Sequence, residues 1–181
     1  FQYHVQPPIP NLAEEFKSLG YQTTVLHTGK ENSWSRDKAY PAMGFDQYLT
    51  GDYFKNFSDR RLRYYLSDQS LYSAALSRLD EAGDPQFVYI ITLQTHGGYT
   101  DKEYEADVNI KEAAGEFPEA EEYLSVLHQT DKDFEAFIKE LEKRDWPTIV
   151  LAFGDHLPKV EPDFMERALG ETHPYWRYLT Y

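Results

Sequence analysis

The 181-residue chain contains no cysteine. It can therefore form neither disulfides nor thiolate metal sites, and it has no cysteine nucleophile. Long hydrophobic runs are also missing: no apolar stretch approaches the ~20 residues of a membrane-spanning helix, and no signal peptide is recognisable. We therefore expect no membrane segment in this chain, and we expect any bound metal to be held by ligands other than thiolates.

Positive charge is scarce. Lys and Arg number 18 against 31 Asp and Glu, which gives a formal net charge of −13, and the basic residues form no block. Nucleic acid is not expected as a partner, because binding to its phosphate backbone needs a Lys/Arg footprint. An anionic substrate would need local positive charge, supplied by a metal ion or by a few well-placed cations.

The residues that are present favour a packed α/β domain. Hydrophobic residues make up 41% of the chain and aromatic residues 16%, which suits a folded core. Strand-like runs alternate with helical patterns, which is typical of a largely parallel sheet sandwiched by helices. The predicted elements are a strand at 21–27, a helix from Ser67 and Asp68 to about Ala82, a strand at 87–93, a long helix from near Pro118 and a strand at 148–153.

The runs at 87–93 and 148–153 are almost continuously apolar, which predicts strands that are buried on both faces. The chain begins abruptly at Phe1 and stops at Tyr181 after an aromatic stretch. We therefore expect one domain, residues 1–181, with a sheet that is incomplete at both ends.

Each of the three clearest strands leads into a histidine. His27 ends the first, His96 follows the second, and Asp155-His156 follow the third. Because ligands gather beyond the carboxyl ends of parallel strands, we expect these side chains to share one cleft. One such histidine would be assigned a surface or structural role, but three at the same predicted edge favour a functional site.

Asp155 and His156 form a candidate metal site. A carboxylate oxygen and an imidazole nitrogen on one strand-end turn can both bind a divalent cation, and Gly154 would let the backbone bend tightly there. The alternative is that Asp155 caps a following turn and that His156 is simply exposed; the spacing does not separate the two. Asp131 and Asp133 on the long helix are expected to lie on a solvated face.

The loop from His27 to Asp37 is a candidate anion site. Arg36 can hold a phosphate through two parallel N–H bonds, and Trp34 can form a wall of the pocket. The alternative interpretation is structural: Arg36 would pair with a nearby acid, and Trp34 would lie in the core.

In order and rough spacing, these residues resemble those of lipoteichoic acid synthases, which are phosphoglycerol transferases of the alkaline phosphatase/sulfatase superfamily. The resembling set comprises the loop with His27, Trp34, Arg36 and Asp37, then Tyr40 and Met43-Gly-Phe-Asp46, Ser67-Asp68, Thr95-His96, the helix from Leu124 to Leu141 with Asp131, and Gly154-Asp155-His156. The order holds from His27 to His156.

The resemblance implies a partial sulfatase-like catalytic domain with one divalent cation, Mn²⁺ first and Mg²⁺, Zn²⁺ or Ca²⁺ as alternatives, held partly by Asp155 and His156. It also implies a site for an anionic phospholipid or glycolipid head group, made of His27, Trp34, Arg36 and His96. The implied reaction is transfer of a phosphoglycerol-type group from a lipid-borne phosphodiester to a hydroxyl acceptor in cell-envelope polymer synthesis. The implied location is the extracellular face of a bacterial cytoplasmic membrane, in a membrane-anchored parent protein.

The chain departs from that family in its nucleophile. The family uses a metal-activated threonine, but Thr23 and Thr24 lie inside a predicted strand, and a further carboxylate ligand is also missing. We therefore expect the isolated chain to be inactive. Gly29 stands where some relatives carry a polar residue, which leaves the head group open. Two alternatives remain: a sulfatase, phosphodiesterase or phosphoethanolamine transferase on the same scaffold, and a non-catalytic head-group-binding domain.

Overall fold

The computed structural model describes residues 10–57, 59–81, 83 and 85–170. Phe1 and Tyr181 lie outside the described residues. The chain divides into two compact units, residues 1–93 and 94–181, and each is described by itself. Within the described part of the chain, no helix combines the length and the apolar character that crossing a bilayer requires.

The first unit is built on a parallel sheet. Its strands are β1 (Gln22–His27), β2 (Gln47–Leu49), β3 (Arg61–Leu62), β4 (Tyr65–Leu66) and β5 (Gln86–Ile91). β1 lies between β2 and β5 and runs parallel to both, while β3 and β4 pair separately as an antiparallel hairpin. His27 is in register with Ile91, so β1 and β5 end at the same edge. The predicted α/β class with a parallel sheet is confirmed.

The central strand and the edge strand differ in burial. In β1 every side chain from Thr23 to His27 is buried, as expected for a strand with both faces covered. The same prediction for β5 is wrong, because most of its side chains are only half-buried and Tyr89 is 37% exposed. Within the described sheet β5 has a hydrogen-bonded neighbour on one side only.

The helices of the described part of this unit are α1 (Leu12–Ser18), α2 (Arg36–Ala42), α3 (Gly51–Phe54) and α4 (Asp68–Glu81). Side chains cap two of them. Asn11 Oδ1 accepts the N–H of Ala13 at 2.9 Å, and Ser67 Oγ accepts the N–H of Ser70 at 3.3 Å. Each bond satisfies an amide that has no partner inside its helix. The predicted helix start at Ser67 and Asp68 is confirmed.

A buried arginine ties α4 to the amino ends of the strands. Arg78 is 6% exposed; it donates from Nε to Gln47 Oε1 at 3.1 Å and from Nη2 to Gln22 Oε1 at 2.8 Å. These glutamines are the first residues of β2 and β1. A buried guanidinium without partners would cost several kcal/mol. The two amides therefore stabilise this position of α4, and through Arg78 they link the first residues of β1 and β2.

The second unit is organised around the long helix α5 (Pro118–Glu142), and a shorter helix, α6 (Phe164–Leu169), follows. The predicted start near Pro118 is confirmed, and proline suits the first turn because its missing N–H would have no helical partner there. Glu161 caps α5 from a distance: its carboxylate accepts the N–H of Glu119 at 2.7 Å and that of Ala120 at 3.0 Å. Negative charge is also stabilising at this end of a helix.

The buried face of α5 differs in part from the apolar stripe in the sequence. The 3.6-residue pattern places Leu127 inward, yet Leu127 is 40% exposed while Val126 is fully buried. Ser125 is also buried, and its Oγ accepts the N–H of Val108 at 2.9 Å. A hydrophobic period does not reveal a face that buries polar side chains to hold a neighbouring loop.

The predicted strand at 148–153 is wrong for this structure. These residues form no ladder, and Ile149, Leu151 and Phe153 are 98%, 79% and 69% exposed. An apolar run of this kind becomes a buried strand only where neighbouring strands pair with it and both faces are covered. The described part of the second unit supplies no such neighbour.

Candidate functional site

β1 delivers His27 to the carboxyl edge of the sheet in the first unit. The side chain is 1% exposed, and its Nδ1 accepts the N–H of Gly29 at 2.8 Å. Burial, reinforced by the Arg36 guanidinium, lowers the pKa of His27 to about 4. The ring is therefore neutral at pH 7, and because Nδ1 is an acceptor the proton resides on Nε2. His27 is thus a fixed, uncharged hydrogen-bond donor.

Gly29 is where His27 and Arg36 meet. A Cβ at residue 29 would lie 2.7 Å from His27 Cε1 and 3.4 Å from Arg36 Nη1, so both side chains close over this stretch of backbone. Gly29 is not in the left-handed region, so the requirement is for space rather than for conformational freedom. A larger residue would displace the imidazole from the N–H that fixes it.

Arg36 is a half-buried cation at the start of α2. Among the described residues, no carboxylate lies within ion-pair distance of its guanidinium, which does not fit the structural alternative. Besides His27 and Gly29, it lies near two tyrosines, Tyr40, with which it forms a hydrogen bond, and Tyr48. Burial raises the pKa of Tyr40 and raises that of Tyr48 to about 12, and the guanidinium opposes both shifts. Arg36 can therefore donate charged hydrogen bonds to an anion.

Trp34 is 68% exposed, which does not fit the alternative of a core residue. It lies in a single 3₁₀ turn, Ser33–Ser35, with a φ of 59° at Trp34 and of 53° at Ser35. Left-handed backbone costs a residue with a Cβ roughly 1–2 kcal/mol. Such strain persists where the surroundings impose it, and it gathers at ligand sites. Here it sets an exposed indole immediately before the helix that carries Arg36.

His96, in the second unit, lies on an exposed loop with anchored flanks. Gln94 is fully buried and donates from Nε2 to Asp133 Oδ2 at 3.3 Å, while the hydroxyl of Tyr99 donates to the Thr95 carbonyl at 2.7 Å. His96 is therefore exposed, while the start of its loop is hydrogen-bonded to α5 through Gln94. The position of Gln94, two residues before the histidine, carries no sequence signal for this anchoring.

The two acids of α5 have different environments. Asp131 is exposed, as predicted. The prediction that Asp133 is solvated is wrong: it is 7% exposed and accepts from Gln94 and, at 2.8 Å, from Gln129 Nε2. The spacing of Gln129 and Asp133, four residues apart on one helix face, is a signal that could have identified the pair.

Asp155 and His156 follow the exposed segment 148–153. Asp155 Oδ1 lies 3.7 Å from His156 Nε2, and His156 Nδ1 lies 2.8 Å from the Leu157 carbonyl oxygen. Because a carbonyl only accepts, Nδ1 carries the proton of the neutral ring and Nε2 is its basic nitrogen. A nitrogen and a carboxylate oxygen thus face each other across a gap that one cation could bridge.

The backbone bends directly after Gly154, at residues 155 and 156, but Gly154 itself shows no steric need for glycine. Its backbone is not in the left-handed region, and a Cβ there would meet no atom within 4 Å, so a larger residue would fit. Across the described ranges, no three His, Asp or Glu side chains are grouped as a metal site. Asp155 and His156 therefore supply two donors, fewer than the four or more that Zn²⁺ or Mg²⁺ takes up.

Comparison with known proteins shows relatives that match most of this chain. A Rhizobium meliloti (strain 1021) protein named for cyclic beta-1,2-glucan modification is 31% identical over 163 residues, which are 87% of this chain and 25% of that protein. The lipoteichoic acid synthase LtaP from Listeria monocytogenes has a similar structure, with a TM-score of 0.66 and 24% identity, over 78% of this chain and 35% of that one.

A second similar structure is the Streptococcus pyogenes phosphoglycerol transferase GacH in complex with sn-glycerol-1-phosphate. It gives a TM-score of 0.63 and 28% identity, and the match covers 80% of this chain and 38% of that chain. The chain thus spans about a quarter of the length of its glucan-modification relative and little more than a third of either structure. The sequence profile of the family named Sulfatase matches residues 4–178, almost the whole length. This chain belongs to the Sulfatase family.

Proposed function

We propose that the protein transfers a phosphoglycerol-type group from a lipid-borne phosphodiester to a hydroxyl acceptor, with the help of one divalent cation. The observation that carries this proposal is the pair of His27 and Arg36 around Gly29. Arg36 offers a two-pronged cation without a carboxylate partner among the described residues, and His27 adds a neutral donor beside it. In a chain with a net charge of −13, this is the local charge that an anionic substrate needs.

The relatives support the same substrate class. GacH, at 28% identity, is a phosphoglycerol transferase that was solved with sn-glycerol-1-phosphate, and a phosphoglycerol group fits a site with one fixed cation. The Rhizobium relative is named for modification of a glucan, which supports a saccharide hydroxyl as the acceptor.

Asp155 and His156 fit a divalent cation as part of a larger ligand set. The contact between His156 Nδ1 and a backbone carbonyl is the kind that orients metal-binding histidines, and an exposed carboxylate oxygen suits Mn²⁺ or Mg²⁺. We propose Mn²⁺, with Mg²⁺, Zn²⁺ and Ca²⁺ as the alternatives. When bound, the cation would supply Lewis-acid stabilisation of charge on phosphoryl oxygen.

The reaction breaks the phosphorus–oxygen bond to the lipid alcohol and forms one to the acceptor oxygen, and the acceptor's proton ends on the lipid alcohol. Arg36 would hold phosphoryl oxygens in two parallel bonds, and the Nε2–H of His27 would donate to the same group. Trp34 would cover the glycerol carbons. No residue of this chain is assigned as the nucleophile, so we expect the isolated chain to be inactive. The proposed location is the extracellular face of a bacterial cytoplasmic membrane.

The test is transfer by the full-length protein supplied with Mn²⁺ and with phosphatidylglycerol that is labelled in its terminal glycerol. We expect Asp155→Ala to lower the release of diacylglycerol at least 100-fold, and Asp145→Ala, which removes another exposed carboxylate, to have no effect. Turnover of an aryl sulfate in place of the lipid would contradict the proposal and would indicate that the protein is a sulfatase. Binding of glycerol phosphate without turnover of any ester would make the protein a non-catalytic binding domain.

A further inference from the structure

A cavity of about 440 Å³ adjoins the loop after β1. Residues 28–32 line it together with Thr50 and Gly51 at the start of α3 and with Arg61 of β3. Two of these contributions, the loop after β1 and the residues after β2, follow the carboxyl ends of neighbouring parallel strands, where α/β sheets place ligands. The volume lies within the range of small-molecule sites. We call this space the loop cavity.

The loop cavity is polar but balanced in charge. Its charged lining consists of three cations and three acids, Lys30, Lys55, Arg61, Glu31, Asp52 and Asp59. Lys55 Nζ lies 2.5 Å from Asp52 Oδ1, and Arg61 Nη1 donates to the Tyr64 carbonyl at 3.1 Å. Two of the cations are therefore already engaged by protein groups. The Lys55–Asp52 pair cancels, which leaves Lys30 and Arg61 against Glu31 and Asp59, so a phosphate dianion in this space would meet no net positive charge.

The lining also disfavours an apolar ligand. Phe54 is one of its few apolar members and is 1% exposed, so there is little apolar surface to cover. What the cavity offers is an interspersed set of hydrogen-bonding groups: the amide of Asn32 donates and accepts, the carboxylate of Asp59 accepts, and Lys30 donates. Neighbouring hydroxyl groups each donate and accept, so a neutral polyhydroxylated molecule is the class of ligand that matches this lining.

We propose that the loop cavity binds the acceptor of the transfer reaction, a neutral saccharide or polyol. This inference rests on the function proposed above. Gly29 connects the two sites, because it lines the loop cavity and a Cβ on it would lie 3.4 Å from Arg36 Nη1. One residue therefore borders both the acceptor cavity and the cation proposed to hold the phosphoryl group. The acceptor's hydroxyl oxygen forms the new bond to phosphorus, and its proton passes to the departing oxygen.

The test uses the full-length protein with Mn²⁺, phosphatidylglycerol as donor and a β-1,2-linked glucose disaccharide as the acceptor probe. Two products are measured: glycerol phosphate released into water and glycerol phosphate attached to the disaccharide. We expect Asn32→Ala and Asp59→Ala each to raise the KM for the disaccharide at least tenfold and to lower the share of attached product. Asp145→Ala, an exposed acid in the other unit, should change neither quantity.

The outcomes separate the two proposals. If donor is consumed but both cavity variants leave the disaccharide KM and the product share unchanged, the loop cavity is not the acceptor site. If the wild type consumes no donor, the proposed transfer fails, and titration calorimetry with the disaccharide then decides the cavity alone. Binding that is weakened at least tenfold by Asn32→Ala and Asp59→Ala supports a saccharide site. Equal binding in all three proteins, or binding of inorganic phosphate in place of the disaccharide, overturns it.

Discussion

The residues proposed to bind the anion and those proposed to bind the metal are held in opposite ways. In the first unit, His27 ends a strand that is buried along almost its whole length, and the side chains of His27 and Arg36 close over the backbone at Gly29. In the second unit, Asp155 and His156 follow a segment whose apolar side chains face solvent. The first arrangement is fixed by tertiary neighbours, whereas the second is fixed mainly by adjacency in the chain. A strand-end motif thus gains a defined geometry only when its strand has partners.

The comparison also separates two kinds of charge. Arg36 is half-buried with tyrosines for neighbours, whereas Arg78, in the same unit, is buried and bonded to two glutamine amides. One guanidinium is proposed to bind a ligand, and the other is used by the fold. We expect variants to reveal this division directly.

The largest expected effect concerns the pair with the fewest tertiary neighbours. Because the side chain of Asp155 is 83% exposed, Asp155→Ala should leave the melting temperature of the full-length protein nearly unchanged. Loss of a direct ligand should nonetheless weaken Mn²⁺ binding by at least about 100-fold, since even groups behind the ligands are typically worth 10–100-fold. Titration calorimetry measures this, with Asp145→Ala as the control. Unchanged affinity in Asp155→Ala would remove the metal site from this position.

A second prediction uses the buried imidazole. The pKa of His27 in the folded protein is about 4, below the ordinary value of about 6.5, so between these values the unfolded chain binds the extra proton. Stability is therefore fully present above about pH 6.5 and declines as the pH falls towards 4. From pH 7.5 to pH 5 the loss due to His27 should be about 2 kcal/mol.

Urea unfolding at the two pH values checks this prediction. Comparison with His27→Gln isolates the contribution of the imidazole from those of the carboxylates. The His27→Gln variant should show a smaller loss on acidification than the wild type. Equal losses in the wild type and in His27→Gln would show that the ring is not held neutral by burial.

A third prediction contrasts the two arginines. Arg78→Lys cannot reach both Gln22 and Gln47 with a planar fork, so it should destabilise the fold by about 1.5 kcal/mol. Arg36→Lys should change the free energy of unfolding by no more than about 0.5 kcal/mol, while it lowers transfer activity through loss of bidentate binding. Chemical denaturation and diacylglycerol release, measured on both variants, give the comparison. A large loss of stability in Arg36→Lys would make Arg36 a structural residue.

The smallest expected effect tests the backbone at Trp34. At a φ of 59°, glycine avoids the cost that any Cβ incurs, so Trp34→Gly should be more stable than Trp34→Ala by about 1 kcal/mol. At Lys132, an exposed position inside α5, the order should reverse, because alanine is the better helix former by about 1 kcal/mol. The same order at both positions would mean that the turn before α2 is unstrained.

Much of the fold was predictable because its signals are local. The strand at β1 follows from its β-branched and aromatic residues, and Ser67 marks the start of α4 by its capping chemistry. The parallel sheet follows from the alternation of elements. Family membership followed from a few residues in fixed order, because their chemistry limits which types can stand there.

The remainder depends on contacts that no local pattern encodes. The tautomer of His27 is set by the N–H of Gly29, and the burial of Asp133 is set by a glutamine that lies 39 residues earlier in the sequence. An apolar run such as 148–153 indicates only that a strand would be stable there if neighbouring strands and helices buried it. Whether a neighbour covers it is a property of the rest of the molecule.

Residues 148–153 give the second unit a template for self-association between molecules. The run from Thr148 to Gly154 is uncharged and rich in β-branched side chains, the composition of segments that stack into cross-β assemblies when their backbone is unpaired. Solutions of the 181-residue chain should therefore lose soluble protein in a concentration-dependent way. A single charge in the middle of the run, such as Leu151→Lys, should slow that loss, as flanking charges do in natural aggregation-prone strands.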